Sequence, residues 1–280
     1  MSTVELPTAT VPREPKQGRG PLRLGRFVLP VYTWLVILYT VIPIVLMIVY
    51  SFNQAPSGRM TFQWLGFTTQ WYQHVFQIPD LTNALVNSLI VAGSSSLISA
   101  IIGTPLAIAL ARYRYLGRNV TEGVIFTNIA APSVVVGASL LSLFITLNLN
   151  RGLVTIIIAH VSFCIAFVAI VVRARIVGLD RSIEKAAYDL GATPWVAFQK
   201  VLLPLIMPGI IAGMLLAFAM SIDDFIITSF VAGQTLTFPL WVYGAVKVGI
   251  PPQVFVMGTL IFLIGVVLAL VNVFMQRRRA

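Results

Sequence analysis

Two adjacent carboxylates stand in the most apolar part of this sequence. Asp223 and Asp224 are the only acidic residues within six long apolar stretches of the chain. A charged group inside a bilayer costs about 2.5–3.5 kcal/mol on insertion scales, so it usually faces a cavity or a partner. Two carboxylates at this depth could attract a polycation. Alternatively, one of them caps or packs the end of its helix, or pairs with a basic residue of a neighbouring chain.

Other polar and aromatic groups accompany the carboxylates. Adjacent residues of a helix point about 100° apart, so we predict that one of Asp223 and Asp224 lines a pathway and that the other is structural. Trp241 and Tyr243 could form an aromatic wall for a cation, or they anchor the chain at the membrane interface. For His160, which lies in the fourth apolar stretch, hydrogen-bonded packing is favoured over a proton relay.

The sequence offers little else from which a catalytic or metal site could be built. It contains two histidines and a single cysteine, Cys164, which excludes a disulfide within the chain and a multi-cysteine metal site. The phosphate-binding motif G-x-x-x-x-G-K-[ST] does not occur, so the chain has no evident nucleotide site. We therefore predict a non-catalytic chain that binds no cofactor or metal of its own. A membrane enzyme is the least favoured alternative.

Long apolar stretches position these residues. Hydrophobic residues make up 58% of the 280 residues and charged residues only 10%, against about 25% charged residues in soluble domains. Six stretches approach the ~20 residues that cross the hydrocarbon core of a bilayer: 27–52, 84–111, 123–147, 153–172, 201–227 and 254–275. The sequence therefore predicts an all-α integral membrane protein with six transmembrane helices. Small residues between 92 and 103 predict close helix packing, and three prolines can kink their spans: Pro105, Pro132 and Pro208.

The positive charges are distributed asymmetrically between these stretches. The formal net charge is +10, and with six spans nearly all lysines and arginines lie on one side, in residues 13–26, 112–118, 173–200 and 277–279. Positive segments face the cytoplasm, so both termini are predicted to be cytoplasmic. This pattern favours membrane topology over nucleic-acid binding. Residues 1–25 are predicted to be a disordered cytoplasmic tail, and residues 26–280 form the membrane domain.

The segments on the opposite side are also distinctive. Residues 53–83 contain aromatic and histidine side chains that form either an interfacial belt or a contact with an external protein: Trp64, Trp71, Tyr72 and His74. Residues 230–253 contain glycine and several prolines, which predicts an irregular outer loop or a short re-entrant segment.

The longest polar segment of the second half begins at Asp180. Asp180 is predicted to cap a helix over residues 181–190, and Gly191 to end it in the left-handed conformation. Thr193 and Pro194 then start a second helix. The predicted result is a helix–turn–helix on the cytoplasmic face, although an ordinary amphipathic loop between two spans is the alternative.

Two alanines make one face of the first helix thin. Ala186 and Ala187 are followed by Gly191 and then by Leu203-Pro204. This spacing resembles the motif E-A-A-x-x-x-G-x(9)-I-x-L-P in the coupling loop of type I ATP-binding cassette importer permeases. In that family the loop receives the movement of a separate ATPase. A thin, rigid helix can enter a cleft on a partner and transmit such a rigid-body movement.

The match departs from the motif at one position. The glutamate before the two alanines is Lys185 in this sequence, and Glu184 stands one residue earlier. If the glutamate of the motif contacts the ATPase, that contact is either changed or supplied by Glu184. The resemblance implies a coupling loop over 173–204, with these coupling residues: Glu184, Lys185, Ala186, Ala187, Gly191, Leu203 and Pro204.

The stretch around the two carboxylates carries a more specific resemblance. Residues 220–233 resemble the L-S-x-D-D-F-x-x-T-x-F-x-x-G stretch of a permease of spermidine/putrescine importers, with Met220 in place of the first leucine. Similar patches occur at 50–53, 87–89 and 132–137, so the resemblance covers most of residues 30–275. It implies that the substrate pathway includes Asp223, Asp224, Trp241 and Tyr243.

The family resemblance also implies an assembly in the bacterial plasma membrane. The chain is expected to pair with a homologous second permease, with two ATPase subunits that bind ATP and magnesium, and with an extracytoplasmic solute-binding protein. Another small solute, such as iron, thiamine or a phosphonate, remains an alternative cargo, although the carboxylates argue against an anion. A stand-alone secondary transporter or channel is a further alternative. It should show an internal repeat, and none is convincing in this sequence.

Overall fold

The computed structural model describes the backbone of residues 25–277 and the side chains of residues 28–267 and 270. Residues 1–24 and 278–280 lie outside the described residues. Nearly all of the predicted disordered tail, 1–25, therefore falls outside them, and its disorder stays a prediction. The chain divides into two compact units, Met1–Val49 and Tyr50–Ala280.

Helix α1, Gly25–Tyr50, makes up the described part of the first unit and ends at the first residue of the second. Its two threonine hydroxyls are satisfied within the helix. Thr33 Oγ1 donates to the carbonyl oxygen of Leu29 at 2.8 Å, and Thr40 Oγ1 to that of Val36 at 3.1 Å. Such back-bonding leaves neither threonine hydroxyl unpaired on the apolar helix. The helix matches the first predicted span, 27–52, closely.

The second unit consists of helices joined by loops. In chain order they are α2 (Gln70–Gln73), α3 (Pro79–Arg112), α4 (Arg118–Ala130), α5 (Ser133–Thr146), α6 (Leu153–Val177), α7 (Ser182–Asp189), α8 (Pro194–Ala197), α9 (Leu203–Ile222), α10 (Ile226–Val231), α11 (Phe238–Val248) and α12 (Pro252–Arg277). A π-helical turn, Phe198–Leu202, joins α8 to α9. The only extended pairing in the described chain is an isolated antiparallel bridge between Asn53 and Phe67.

The core lies where α3, α6 and α9 pack against one another. A Cβ atom added to Gly103 of α3 would lie 3.0 Å from Val168 Cγ1 and 3.1 Å from the carbonyl oxygen of Ile165, both on α6. A Cβ atom on Gly213 of α9 would lie 3.4 Å from the Cα atom of the same valine. Small residues allow this close approach of helices in lipid. The predicted close packing of the segment 92–103 is confirmed, since its buried residues include Ala92, Ser95, Ser96, Ser99, Ala100 and Gly103.

Fewer helices qualify as membrane spans than the six predicted. Four helices in the described part of the chain are long and apolar enough, namely Val28–Tyr50, Pro79–Arg112, Leu153–Val177 and Pro194–Ile222. The pair α4 and α5 would make a fifth span. Helix α12 covers the sixth predicted span, but its apolar stretch among the described residues, Pro252–Val267, is shorter than the others.

The predicted span 123–147 is broken, because the chain turns sharply at Pro132, one of the three prolines expected to kink their spans. Helices α4 and α5 are bent by 109° relative to each other. Proline lacks a backbone N–H and forces the preceding residue out of the helical region, and Ala131 before Pro132 is indeed extended, with φ −68° and ψ 132°. Glu122 of α4 also forms an ion pair of 3.0 Å with Arg173 of α6.

The segment 230–253, which is predicted to lie on the outer side, is more regular than an irregular loop. It contains α11, an eleven-residue helix, and the alternative of a short re-entrant segment stays a prediction. Pro239 favoured the prediction of a loop because proline usually interrupts helices. Proline is tolerated in the first turn of a helix, however, where no N–H is required. In residues 53–83, the other segment predicted to lie on the outer side, Trp71 Nε1 donates to the carbonyl oxygen of Asn53 at 2.9 Å, whereas Trp64 is half exposed.

Candidate coupling loop and acidic break

The predicted coupling loop, residues 173–204, begins with helix α7. The carboxylate of Asp180 accepts the N–H of Ser182 at 2.9 Å. This hydrogen bond holds the pKa of Asp180 below its ordinary value, because accepting a backbone N–H favours the charged form. Asp180 lies one residue before the N-cap position, Arg181, so the predicted cap is displaced by one residue but still binds the first amide of the helix.

Helix α7 ends at a left-handed glycine, as its sequence predicts. Gly191 has φ +84°, and its N–H donates to the carbonyl oxygen of Tyr188 at 2.9 Å. An added Cβ atom would meet no other atom within 4 Å, so only backbone strain opposes a larger residue. Thr193 Oγ1 then accepts the N–H of Val196 at 3.4 Å, and Pro194 begins α8. The local helix–turn–helix is observed, whereas its contact with an ATPase stays a prediction.

The loop joins α9 through a widened turn. The N–H of Leu203 donates to the carbonyl oxygen of Phe198, five residues earlier, in the π-helical turn. Pro204 follows directly and has no N–H to donate to an earlier carbonyl. π-Turns are rare and mark places where the regular helical hydrogen-bond ladder is interrupted. The Leu203-Pro204 pair of the motif therefore lies at an interruption between the predicted coupling loop and the apolar helix.

Glu184 forms an ion pair within the chain. Its Oε1 atom lies 2.7 Å from Nη2 of Arg112, and the two side chains are only 21% and 10% exposed. Arg181 Nη2 donates to the carbonyl oxygens of Ala111 at 3.3 Å and Arg112 at 3.2 Å. Helix α7 is therefore attached to the C-terminal end of α3. Sequence reasoning missed Arg112 as the partner because nothing in a local pattern links two residues so far apart in the chain.

The other predicted coupling residues lie in different environments. Ala187 is half-buried and Leu203 packs against the main core. The exposed ones are Lys185, Ala186, Gly191 and Pro204. Because Glu184 is held by Arg112, the exposed charge beside the two alanines is the lysine.

Helix α9 ends at Ile222, and residues Asp223–Phe225 form a break before α10, which we call the acidic break. The predicted span 201–227 is therefore wrong at its end. Asp224 Oδ2 accepts both the backbone N–H and the hydroxyl of Thr228, each at 2.8 Å. A side chain that binds nearby backbone groups in this way competes with helix continuation, which explains the interruption.

The two carboxylates of the break differ sharply in exposure. The side chain of Asp224 is only 12% exposed, and Asp223 is exposed. Among the ion pairs of the described residues, none involves Asp223. The break therefore presents one free carboxylate and holds the other in place.

Trp241 and Tyr243 do not form one wall. The ring of Tyr243 lies 4.6 Å from that of Phe225 in the acidic break, and Lys247 Nζ lies 4.8 Å from its centroid. Trp241 instead packs with a cluster around Val75 and lines a cavity of about 500 Å³. Residues two apart on a helix point in nearly opposite directions, so of the two only Tyr243 contacts the acidic break, through Phe225.

His160 of α6 is buried beside the acidic break and is 1% exposed. Its Nδ1 atom lies 2.6 Å from Ser221 Oγ, and its Nε2 atom lies 2.9 Å from Thr228 Oγ1 and 3.4 Å from Asp224 Oδ2. These contacts agree with the hydrogen-bonded packing that the sequence favours over a proton relay.

Comparison with protein families identifies the kind of membrane protein. The profile of the family described as "Binding-protein-dependent transport system inner membrane component" matches residues 103–280, more than half of the chain. The chain belongs to this family. Members of this inner membrane component family are membrane permeases of ATP-binding cassette importers, and they are not the catalytic subunits.

Individual members of the inner membrane component family share much of the sequence. The spermidine/putrescine transport system permease protein PotC of Escherichia coli (strain K12) is 36% identical over 92% of this chain and 95% of its own length. The putrescine transport system permease protein PotI of the same organism is 41% identical over 78% of this chain and 80% of its own length.

A solved structure supports the fold. A chain of a bacterial ABC transporter involved in the import of the acidic polysaccharide alginate has a TM-score of 0.66 and covers 94% of this chain and 99% of its own. At 21% identity, this similarity concerns the fold alone. The architecture is thus that of an importer permease in a bacterial inner membrane.

Proposed function

We propose that this chain is the permease subunit of an ATP-driven importer that moves polyamines such as spermidine and putrescine into the cell. The observation that carries the cargo class is its 36% identity, over 92% of the chain, to a spermidine/putrescine permease. The free carboxylate of Asp223 supports a cationic cargo, because an unpaired charge at membrane depth usually faces a cavity or a ligand.

In the proposed pathway the residues around the acidic break have distinct roles. Asp223 contacts an ammonium group of the cargo, and Asp224 holds α10 in position. Tyr243 offers a ring face to the same cargo, and its contact with Lys247 Nζ at 4.8 Å supports this role because it is a cation–π contact. Trp241 borders the pathway further out, from the cavity that it lines.

The proposed connection to ATP hydrolysis is helix α7. Ala186 and Ala187 give it a thin face, and the exposed Lys185 suits an acidic group in the cleft of the ATPase. ATP binding closes the ATPase pair, moves α7 and opens the pathway outward, and hydrolysis resets it. In this scheme ATP and magnesium are bound by the partner ATPases, and this chain needs no cofactor of its own.

The proposed assembly follows the same scheme. Six spans, with α12 as the sixth, place both termini and the segment 173–204 in the cytoplasm, and residues 26–280 act as one permease domain. The partners are a homologous second permease, two ATPase subunits, an extracytoplasmic solute-binding protein and the surrounding lipid. The positive segments at 112–118 and 173–200 support this orientation.

The ion pair between Arg112 and Glu184 gives a prediction about coupling. Because it attaches α7 to α3, Glu184→Gln is expected to lower uptake about fivefold, the ratio that corresponds to about 1 kcal/mol. Arg112→Gln should have the same effect, and the double variant should lose no more than either single variant, because the two residues act through one contact. The measurement is the initial rate of uptake at equal amounts of the chain in the membrane.

Asp189→Asn is the matched control for this prediction. Asp189 is exposed on the same helix and belongs to none of the ion pairs among the described residues, so its variant should transport normally. If Glu184 instead contacts the ATPase directly, Arg112→Gln will transport normally while Glu184→Gln does not, and the intramolecular role will be wrong.

ATP-dependent uptake of labelled spermidine and putrescine tests the proposed function. Cells that lack other polyamine importers should express the chain with its second permease, ATPase and binding protein, and the control cells should lack only this chain. We expect uptake in the first cells and none in the control. Absence of uptake while the ATPase still copurifies would reject the polyamine cargo, and failure of the ATPase to copurify would reject the importer assembly.

A further inference from the structure

A hydrogen-bond network of buried polar groups joins four helices behind the acidic break. It runs from Ser95 on α3 through Ser221 on α9 and His160 on α6 to Thr228 on α10, and it ends at the carboxylate of Asp224. Ser95, Ser221, His160 and Thr228 are each at most 3% exposed. Buried polar groups of this kind require partners for nearly all of their donors and acceptors. The number of polar hydrogens in the network can therefore be deduced.

The first end of the hydrogen-bond network is a backbone carbonyl group. Ser95 Oγ contacts the backbone carbonyl oxygen of Val91, and a carbonyl only accepts, so the single hydroxyl hydrogen of Ser95 is donated there. Ser221 Oγ lies 3.0 Å from Ser95 Oγ and must therefore be the donor of that contact. Its own hydrogen is then used, so the contact of 2.6 Å to His160 requires a hydrogen on Nδ1.

The second end of the hydrogen-bond network is the side-chain carboxyl group of Asp224. Thr228 Oγ1 lies 2.8 Å from Asp224 Oδ2 and 2.9 Å from His160 Nε2, and its longest contact, 3.1 Å, is to the backbone carbonyl oxygen of Asp224. Either Nε2 carries a hydrogen and donates to Thr228, which donates to the carboxylate, or the carboxyl group carries it and Thr228 donates to Nε2. In both arrangements Nδ1 is protonated, and one further hydrogen lies on Nε2 or on the carboxyl group.

We propose that His160 and Asp224 share one proton as a buried pair with no net charge, and that His160 thereby acts as the positioning residue of the acidic break. Five contacts lead from the carbonyl oxygen of Val91 to Oδ2 of Asp224. A neutral imidazole beside a free carboxylate would leave one of these five contacts without a hydrogen and would bury a net negative charge. Both conditions are costly in a low-dielectric interior.

The pairing assigns different electrostatic roles to the two adjacent carboxylates. Asp224 contributes no net charge to its surroundings, so Asp223 is the one net negative charge of the break. The other titratable group facing this pair from α6 is Cys164, which is buried. The consequence for cargo recognition rests on the proposed polyamine pathway, but the protonation of the pair does not.

The protonation of Nδ1 can be measured directly because the chain contains only two histidines, His74 and His160. The full-length chain should be labelled with ring-¹⁵N histidine and carboxyl-¹³C aspartate, carry a histidine-free affinity tag and be studied by NMR in lipid bilayers, with Asp224→Asn identifying the carboxyl signal of Asp224. The variant His74→Gln leaves a single labelled ring. At about pH 7.5 an ordinary histidine, with a pKa of about 6.5, is mostly neutral.

We expect Nδ1 of His160 to carry a hydrogen at this pH, together with one further hydrogen on Nε2 or on the carboxyl group of Asp224. Asp224→Asn removes the partner of that second proton, so the ring should become neutral with its hydrogen on Nδ1, where the contact to Ser221 requires it. Asp223→Asn, whose residue touches none of the five contacts, should leave the signal unchanged. An unprotonated Nδ1 in the parent chain overturns the proposal, and so does a neutral ring with its hydrogen on Nδ1 alone beside an ionised Asp224. A doubly protonated ring that persists in Asp224→Asn also overturns it. None of these results depends on the cargo, so an importer of another solute would still give the expected signal.

Discussion

Gly191→Val is expected to lower polyamine uptake at least about tenfold while the chain still inserts into the membrane. Gly191 has φ +84°, a conformation that β-branched residues adopt only with strain of about 1–3 kcal/mol. The strain would move α7 relative to α8, because the turn between them depends on this residue. A tenfold change corresponds to about 1.4 kcal/mol, within the expected strain. Uptake rates should be compared at equal amounts of membrane-inserted chain.

Two matched variants distinguish coupling from general strain. Gly117→Val carries a similar backbone penalty, since Gly117 has φ +89° and open space around it, but it lies outside the coupling loop. Gly191→Asn keeps a residue that tolerates the left-handed region. Both should retain most of the uptake. Normal uptake in Gly191→Val would refute the coupling role of this turn, and an equal loss in Gly117→Val would show that strain alone accounts for the effect.

Asp223→Asn is expected to raise the KM for spermidine about tenfold with a smaller effect on the maximal rate. The exposed carboxylate is the free charge of the acidic break, and a contact with a charged group contributes about 1.5–3 kcal/mol. Its loss weakens binding of a cation and leaves the fold intact, because Asp223 holds no ion pair among the described residues. The KM is obtained from uptake at a series of spermidine concentrations.

Asp223→Glu is the control because it keeps the charge on a longer side chain. It should retain a KM within a few-fold of the parent value. An unchanged KM in Asp223→Asn would remove the acidic pathway from the mechanism. A parallel loss of the chain from the membrane would instead indicate that Asp223 acts in assembly.

Most helices could be located from the sequence because crossing a bilayer requires a long apolar stretch. The predicted spans 84–111 and 153–172 correspond to Pro79–Arg112 and Leu153–Val177. The turn at Gly191 could also be predicted, since it depends on residues a few positions apart. Both features follow from local composition and spacing.

The interruptions could not be predicted in the same way. Hydropathy stays high through Pro132 and through Asp223-Asp224, so 123–147 and 201–227 resemble continuous spans. Proline permits a bend, but contacts made by the flanking helices hold its angle, such as the one between Glu122 and Arg173. Likewise, the end of α9 depends on the side-chain hydrogen bonds of Asp224, which the hydropathy of the sequence does not reveal.

By itself, the sequence determined that the chain is a membrane protein, that it carries a helix–turn–helix with the spacing of a coupling loop, and that two carboxylates stand in an apolar stretch. These conclusions rest on composition and on neighbours along the chain. Only the tertiary structure decided that Asp224 is held by Thr228 beside His160 while Asp223 is free, and that Glu184 pairs with Arg112. Such partners lie on helices distant in sequence, and the packing of α3, α6, α9 and α10 brings them together.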